Sequence, residues 1–118
     1  ENKLRHFEKI AINAAEQCGR LDVPAVNTPL ALEAFLAQDK KATRLLLEPG
    51  GEQSLTAARA LTDIELIIGP EGGFSEREVG QARASNCEIM RLGPRIFRTE
   101  TAPVAALAVL QFLYGDLS

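Results

Sequence analysis

Of the residue types that most often carry covalent or metal chemistry, this chain of 118 residues has few: two cysteines and one histidine. Cys18 and Cys87 are too few for a disulfide framework and lack metal-type spacing, so both read as buried, reduced thiols. His6 lies between Arg5 and Phe7 on a helical stretch, where a half-buried or exposed side chain is expected rather than a general base. Without it no Cys-His or Ser-His-Asp arrangement can be assembled, and no cluster of His, Cys and carboxylates offers a metal site. Long apolar runs are missing too. None approaches the roughly eighteen residues of a membrane span, and the opening Glu1-Asn2-Lys3-Leu4-Arg5 has no secretory-signal pattern. A cytoplasmic location is the expectation. An excess of positive charge is also lacking: the net charge of −3 excludes a uniformly basic nucleic-acid surface and leaves room only for a local basic patch. No repeat or low-complexity segment is present. What remains, 46% hydrophobic and 25% charged, is the composition of one globular domain.

Leu4, Phe7, Ile10, Ala11, Ala14, Ala15 and Cys18 recur at helical spacing, and Gly19 is placed to end that helix. Val23-Pro24-Ala25-Val26 reads as extended, and Thr28-Pro29 supplies a cap and first-turn proline for a helix running to about Ala37. Arg44 to Leu47, Ile64 to Ile68 and Glu88 to Leu92 are short apolar runs bounded by Gly or Pro, as expected of strands covered on both faces. Ser54 is positioned to cap a short helix through Leu61. Ser75-Glu76-Arg77-Glu78 is a capping box for a helix from Glu76 to about Ser85. Pro103 to Tyr114 reads as a final helix closed by Gly115, apolar around much of its circumference, so that a second face is left for a partner. Strands alternating with helices predict one three-layer α/β domain with a mostly parallel sheet.

Two loops carry the chemistry. Gly69-Pro70-Glu71-Gly72-Gly73-Phe74-Ser75 and Leu92-Gly93-Pro94-Arg95-Ile96-Phe97-Arg98-Thr99-Glu100-Thr101-Ala102 each follow a strand, and open α/β sheets bind small molecules at the carboxyl ends of their strands. The first has neither the Lys-Ser/Thr of a P-loop nor the spacing of a dinucleotide fingerprint, and Glu71 would repel phosphate. A ligand with a cationic centre and an uncharged nucleoside fits better; S-adenosylmethionine (SAM) is one. Arg91, Arg95 and Arg98 around the second loop suit an RNA substrate, against the plainer reading of solvated surface charge. Glu71 is open between a ligand role and capping or ion pairing. Thr99 and Thr101 read as fixing the loop and capping the last helix.

The paired loops, with Glu16-Gln17-Cys18-Gly19-Arg20 and Val23-Pro24 upstream, closely resemble the ribosomal RNA small subunit methyltransferase E family of the SPOUT superfamily, over nearly the whole chain and in the same order. The resemblance implies a deep trefoil knot at the C-terminal end, a homodimer formed through the knot and the last helix, and SAM as donor for methylating N3 of one uridine in 16S rRNA. It implies a cofactor pocket lined by Leu47, Gly69, Pro70, Gly72, Leu92, Gly93, Ile96 and Thr99. The family's N-terminal PUA-like RNA-binding barrel has no counterpart in these residues. The acidic balance fits a catalytic half whose RNA affinity comes largely from elsewhere, and which methylates poorly alone.

Uridine N3 must lose a proton before attacking a methyl group in line. That chemistry asks for orientation and a cation beside the developing uracil anion. Arg98 is expected in that role, Arg95 and Arg20 on RNA phosphate, and Glu71 or Glu100 as proton acceptor, with no metal. Alternatives are a related enzyme acting on another RNA atom such as a ribose 2′-oxygen, or a non-catalytic dimerisation and RNA-contact module.

Overall fold

The computed structural model describes every residue except 1, 39–41, 56–62, 94–97, 99, 116 and 118. The chain divides into two compact units, Glu1–Leu32 and Glu33–Ser118.

The first unit is built on α1 (Asn2–Cys18). Gly19 ends it at φ +77°, a left-handed conformation that costs glycine little, and the Arg20 N–H donates to the Ala15 carbonyl at 2.8 Å. Of the apolar face read from the spacing, only Ala15 is buried; Phe7 and Ile10 are about half exposed, and Cys18 is exposed rather than buried. The chain from Arg20 to Ala31 forms no regular element, and the expected helix begins at Leu32, not after Thr28-Pro29. That helix, α2 (Leu32–Ala37), is held from its other end. The Arg44 guanidinium donates to the carbonyls of Phe35 (3.0 Å), Leu36 (3.1 Å) and Gln38 (3.2 Å), where a helix presents unpaired acceptors and partial negative charge. A tertiary contact, not the local cap, decides where α2 lies.

The second unit is a sheet of β1 (Thr43–Leu47), β2 (Gln53–Ser54), β3 (Ile64–Ile68) and β4 (Glu88–Arg91), with α3 (Glu76–Ala84) and α4 (Ala102–Tyr114). The strand order is β2-β4-β1-β3 and every described pairing is parallel. β1 therefore runs between two neighbours. Its Arg44, Leu45 and Leu46 are all buried, so successive side chains are covered on opposite faces. Leu45 joins Met90, Leu55, Ala106 and Leu110 in the core, with Leu66 of β3 packed against them, which lays α4 on that face of the sheet. Arg44 is nearly wholly buried yet fully engaged: besides the α2 carbonyls it donates to Glu65 at 2.9 Å and stacks 4.5 Å from the Phe35 ring centroid.

The capping box forms as the spacing requires: the Glu78 N–H donates to Ser75 Oγ at 3.1 Å and the Ser75 N–H to Glu78 Oε1 at 2.9 Å. α3 stops because Asn86 turns left-handed at φ +65°, letting the Cys87 N–H reach back to the Ala82 carbonyl at 3.0 Å. Ser54 caps no helix. It lies in β2, in register with Arg91, and residues 56–61 of the expected helix fall outside the described ones. Thr101 sits at the N-cap of α4 with no side-chain capping bond; the Arg98 carbonyl takes the Thr101 and Ala102 N–H groups instead, at 3.0 and 2.9 Å.

Candidate functional site

The register puts Leu47 opposite Ile68 on one side and Met90 on the other. The chain leaving β1, β3 and β4 therefore emerges at a single edge of the sheet, its carboxyl edge, where parallel α/β folds bind ligands. Leu47 is the last residue of β1, and Gly69 and Leu92 directly follow β3 and β4; all three are half-buried. Residues far apart in sequence are thus gathered as expected.

The loop after β3 is a tight turn in which the Gly73 N–H donates to the Pro70 carbonyl at 2.8 Å. Glu71 and Gly72 occupy its exposed centre, and Gly73 is left-handed at φ +75°. The two outer glycines differ in purpose. A Cβ on Gly69 would meet the Phe74 ring at 3.0 Å, so Gly69 makes room for that ring, whereas nothing approaches Gly72 within 4 Å. The open space is beside Gly72. Glu71 neither caps α3, where Ser75 and Glu78 close the box, nor pairs with any described residue.

After β4, Leu92 packs on the core and Gly93 turns left-handed at φ +70°. Arg95, Ile96 and Thr99 lie outside the described residues. Arg98 and Glu100 are both exposed, with Nη1 4.0 Å from Oε1, a contact weak enough in water for Arg98 to exchange it for another partner. Arg20 belongs to the first unit. Arg91, read from sequence among the RNA-facing arginines, is instead structural: its Nη1 donates to the carbonyls of Gly51 (3.2 Å) and Glu52 (3.1 Å).

Those bonds fasten a loop that gave no sequence signal, the one after β1. The Glu48 N–H donates to the Met90 carbonyl at 2.8 Å, and the Gly51 N–H to the Glu48 carbonyl at 2.9 Å. Gly51 lies so close on β4 that a Cβ there would stand 2.5 Å from the Met90 carbonyl carbon. Glu52 pairs with Arg83 of α3. Held this way, the half-buried Glu48 directs its carboxylate toward the Gly73 turn, with Oε1 3.8 Å from the position of a Cβ on Gly73. Its only warning in the sequence was a charged residue directly after an apolar strand.

A separate apolar cavity of about 450 Å³ lies between Ile64, Leu66 and Ile68 of β3 and Leu107, Leu110 and Tyr114 of α4. Among the described residues, no group of three His, Cys, Asp or Glu is arranged to hold a metal ion, and no helix is long and apolar enough to cross a membrane.

A family model described as an RNA methyltransferase domain matches residues 1–111. Ribosomal RNA small subunit methyltransferase E of Buchnera aphidicola from Acyrthosiphon pisum is 37% identical over 98% of this chain and 46% of its own length. The protein of the same name from Bacillus subtilis is 33% identical, over 98% of this chain and 51% of its own. The chain spans about half the length of these curated relatives. Among solved structures, a Legionella pneumophila protein in complex with SAM superposes with a TM-score of 0.93 at 39% identity, covering 98% of this chain and 48% of that one. The Neisseria gonorrhoeae ribosomal RNA small subunit methyltransferase E bound to SAM gives 0.91 at 35% identity, over 99% and 50%.

Proposed function

The chain belongs to the RNA methyltransferase domain family, among the ribosomal RNA small subunit methyltransferase E proteins, and from that premise we propose that it is the SAM-dependent domain of an enzyme methylating N3 of a uridine in 16S rRNA. One observation carries the reading: the parallel register brings the ends of β1, β3 and β4 to one edge, and the turn there offers open space at Gly72 between carboxylates with no described cationic partner. That donor set suits a cationic nucleoside. Backbone groups at Leu47, Gly69, Pro70, Gly72, Leu92 and Gly93, joined by Ile96 and Thr99, hold the cofactor. When bound, SAM supplies an electrophilic methyl group.

The protein's own part is to orient and to manage charge. Arg98 leaves its weak contact with Glu100 and places its guanidinium beside the uracil oxygens as N3 loses its proton. Glu71 or Glu100 takes that proton, each exposed at the loops concerned. Arg95 and Arg20 hold RNA phosphate. The reading extends to a knotted C-terminal segment, a cytoplasmic location, a PUA-like RNA-binding domain supplied by the remaining half of the protein, and a homodimer through α4. The last is supported by the exposed Val104, Leu107 and Phe112. The test is calorimetric titration of the chain with SAM, then transfer of labelled methyl to small ribosomal subunits by the full-length protein, with the methylated atom mapped. Saturable binding at one site and methyl on uridine N3 support the reading. Absence of binding, or methyl on a ribose oxygen, overturns it.

A further inference from the structure

We infer that Glu48 is the charge-selecting residue of this pocket, favouring the cationic donor over its neutral spent form. The inference rests on the cofactor reading above. Glu48 lies at the edge where the three strands end, half-buried, and no described residue pairs with its carboxylate. Glu71 also lacks a described partner, but it is exposed, and water weakens its field. The nearest loop cations are otherwise engaged. Arg91 donates to the Gly51 and Glu52 carbonyls, and Arg83 pairs with Glu52.

The loop that carries Glu48 is fixed more firmly than packing alone demands. Its backbone is bonded to Met90, closed on itself at Gly51 and pinned by Arg91. A carboxylate on so rigid a mount is pre-organised, and a fixed charge in a site partly shielded from water acts more strongly than one that must be ordered on binding. Across the gap is the Gly73 turn, whose bare Cα leaves the line from Glu48 to the pocket open.

SAM carries a sulfonium cation; S-adenosylhomocysteine, left after the methyl has gone, carries a neutral thioether and otherwise the same groups. Glu48 thus attracts the donor by one charge more than the product. The same residue that favours loading favours release.

The test is calorimetric titration of the intact chain with SAM and, separately, with S-adenosylhomocysteine. In Glu48→Gln, which keeps shape and removes charge, SAM binding weakens about tenfold while product binding changes less than about twofold, as expected for one nearby charge. Glu76→Gln, an exposed first-turn residue of α3, controls for net charge and leaves the ratio of the two affinities unchanged. Far-UV circular dichroism and urea midpoints establish that each variant is folded. If Glu48→Gln weakens both ligands equally, or Glu76→Gln shifts the ratio as much, the inference is overturned while the cofactor reading stands. If the unaltered chain binds neither ligand, it is the cofactor reading that fails.

Discussion

Two neighbouring glycines in the β1 loop should respond in opposite ways to the same substitution. At Gly51 an added Cβ would sit 2.5 Å from the Met90 carbonyl carbon and 2.8 Å from the Arg91 nitrogen. Both are backbone atoms of β4, a strand bonded to β1 and β2, so no rotamer change relieves the overlap. The loop must lift by about 0.9 Å to reach an ordinary contact at 3.4 Å. That movement strains the 2.8 Å bond from Glu48 to Met90 and the Arg91 bonds to the Gly51 and Glu52 carbonyls. Overpacking costs about 1–3 kcal/mol and each weakened hydrogen bond about 1, so Gly51→Ala should destabilise the chain by roughly 2–4 kcal/mol and weaken SAM binding as Glu48 moves. Gly50, by contrast, has nothing within 4 Å of a Cβ and no positive φ. Gly50→Ala should be neutral or stabilising by up to about 1 kcal/mol through a less flexible unfolded chain. Urea unfolding of the two variants beside the parent measures this directly. A loss below about 1 kcal/mol for Gly51→Ala, or equal losses for both, would refute the claim that this loop is seated on β4.

Arg44→Met should cost about 3–5 kcal/mol, because it strands the partly buried Glu65 carboxylate and frees three carbonyls at the end of α2; a double-mutant cycle with Glu65→Gln should return a favourable coupling, and additivity would contradict the pairing. Asn86→Gly should keep or slightly raise the urea midpoint, while Asn86→Val should lower stability by about 1–2 kcal/mol, since a β-branched residue resists φ +65°. Burial raises the Cys87 thiol above its ordinary 9.0, with Arg44 opposing and Glu65 adding to the effect. The folded chain then keeps a proton that the unfolded chain releases, so stability present below pH 9.0 should fall as pH rises past it. Cys87→Ala should flatten that dependence, and an unchanged profile would show that another group causes it.

What the sequence revealed and what it hid divide along physical lines. Local chemistry was legible: β3 runs from Ile64 to Ile68 as its apolar run indicated, Ser75 and Glu78 close their box, and Gly19 ends α1. Each depends on residues within a few positions. Non-local pairing was not. β2 is two residues long and exists only because Arg91 and Met90 lie beside it, so no run of apolar residues announced it. Arg44 looked like a polar start to a strand, and its task became visible only once α2 folded back over it. Of the candidate site, the loops after β3 and β4 stood out by their glycines. The loop after β1 did not, because Glu48 and Gly51 draw their roles from Met90, about forty positions away. Arg91 was misread for the same reason, its partners being the carbonyls of that loop.

The strand order β2-β4-β1-β3 also bears on how the chain is made. Synthesis delivers β1, β2 and β3 before β4, yet β4 is the strand that fits between two of those already present. Until residues 88–91 leave the ribosome, β1 has one unpaired side and β2 has no neighbour at all. A nascent chain halted before residue 88 thus displays the open flank of its most apolar strand, the kind of surface that chaperones shield and that recruits other unfinished chains. The platform beneath Glu48 is among the last parts to exist, so an arrested or truncated chain of this length acquires its hydrophobic interior before it acquires a place for a ligand.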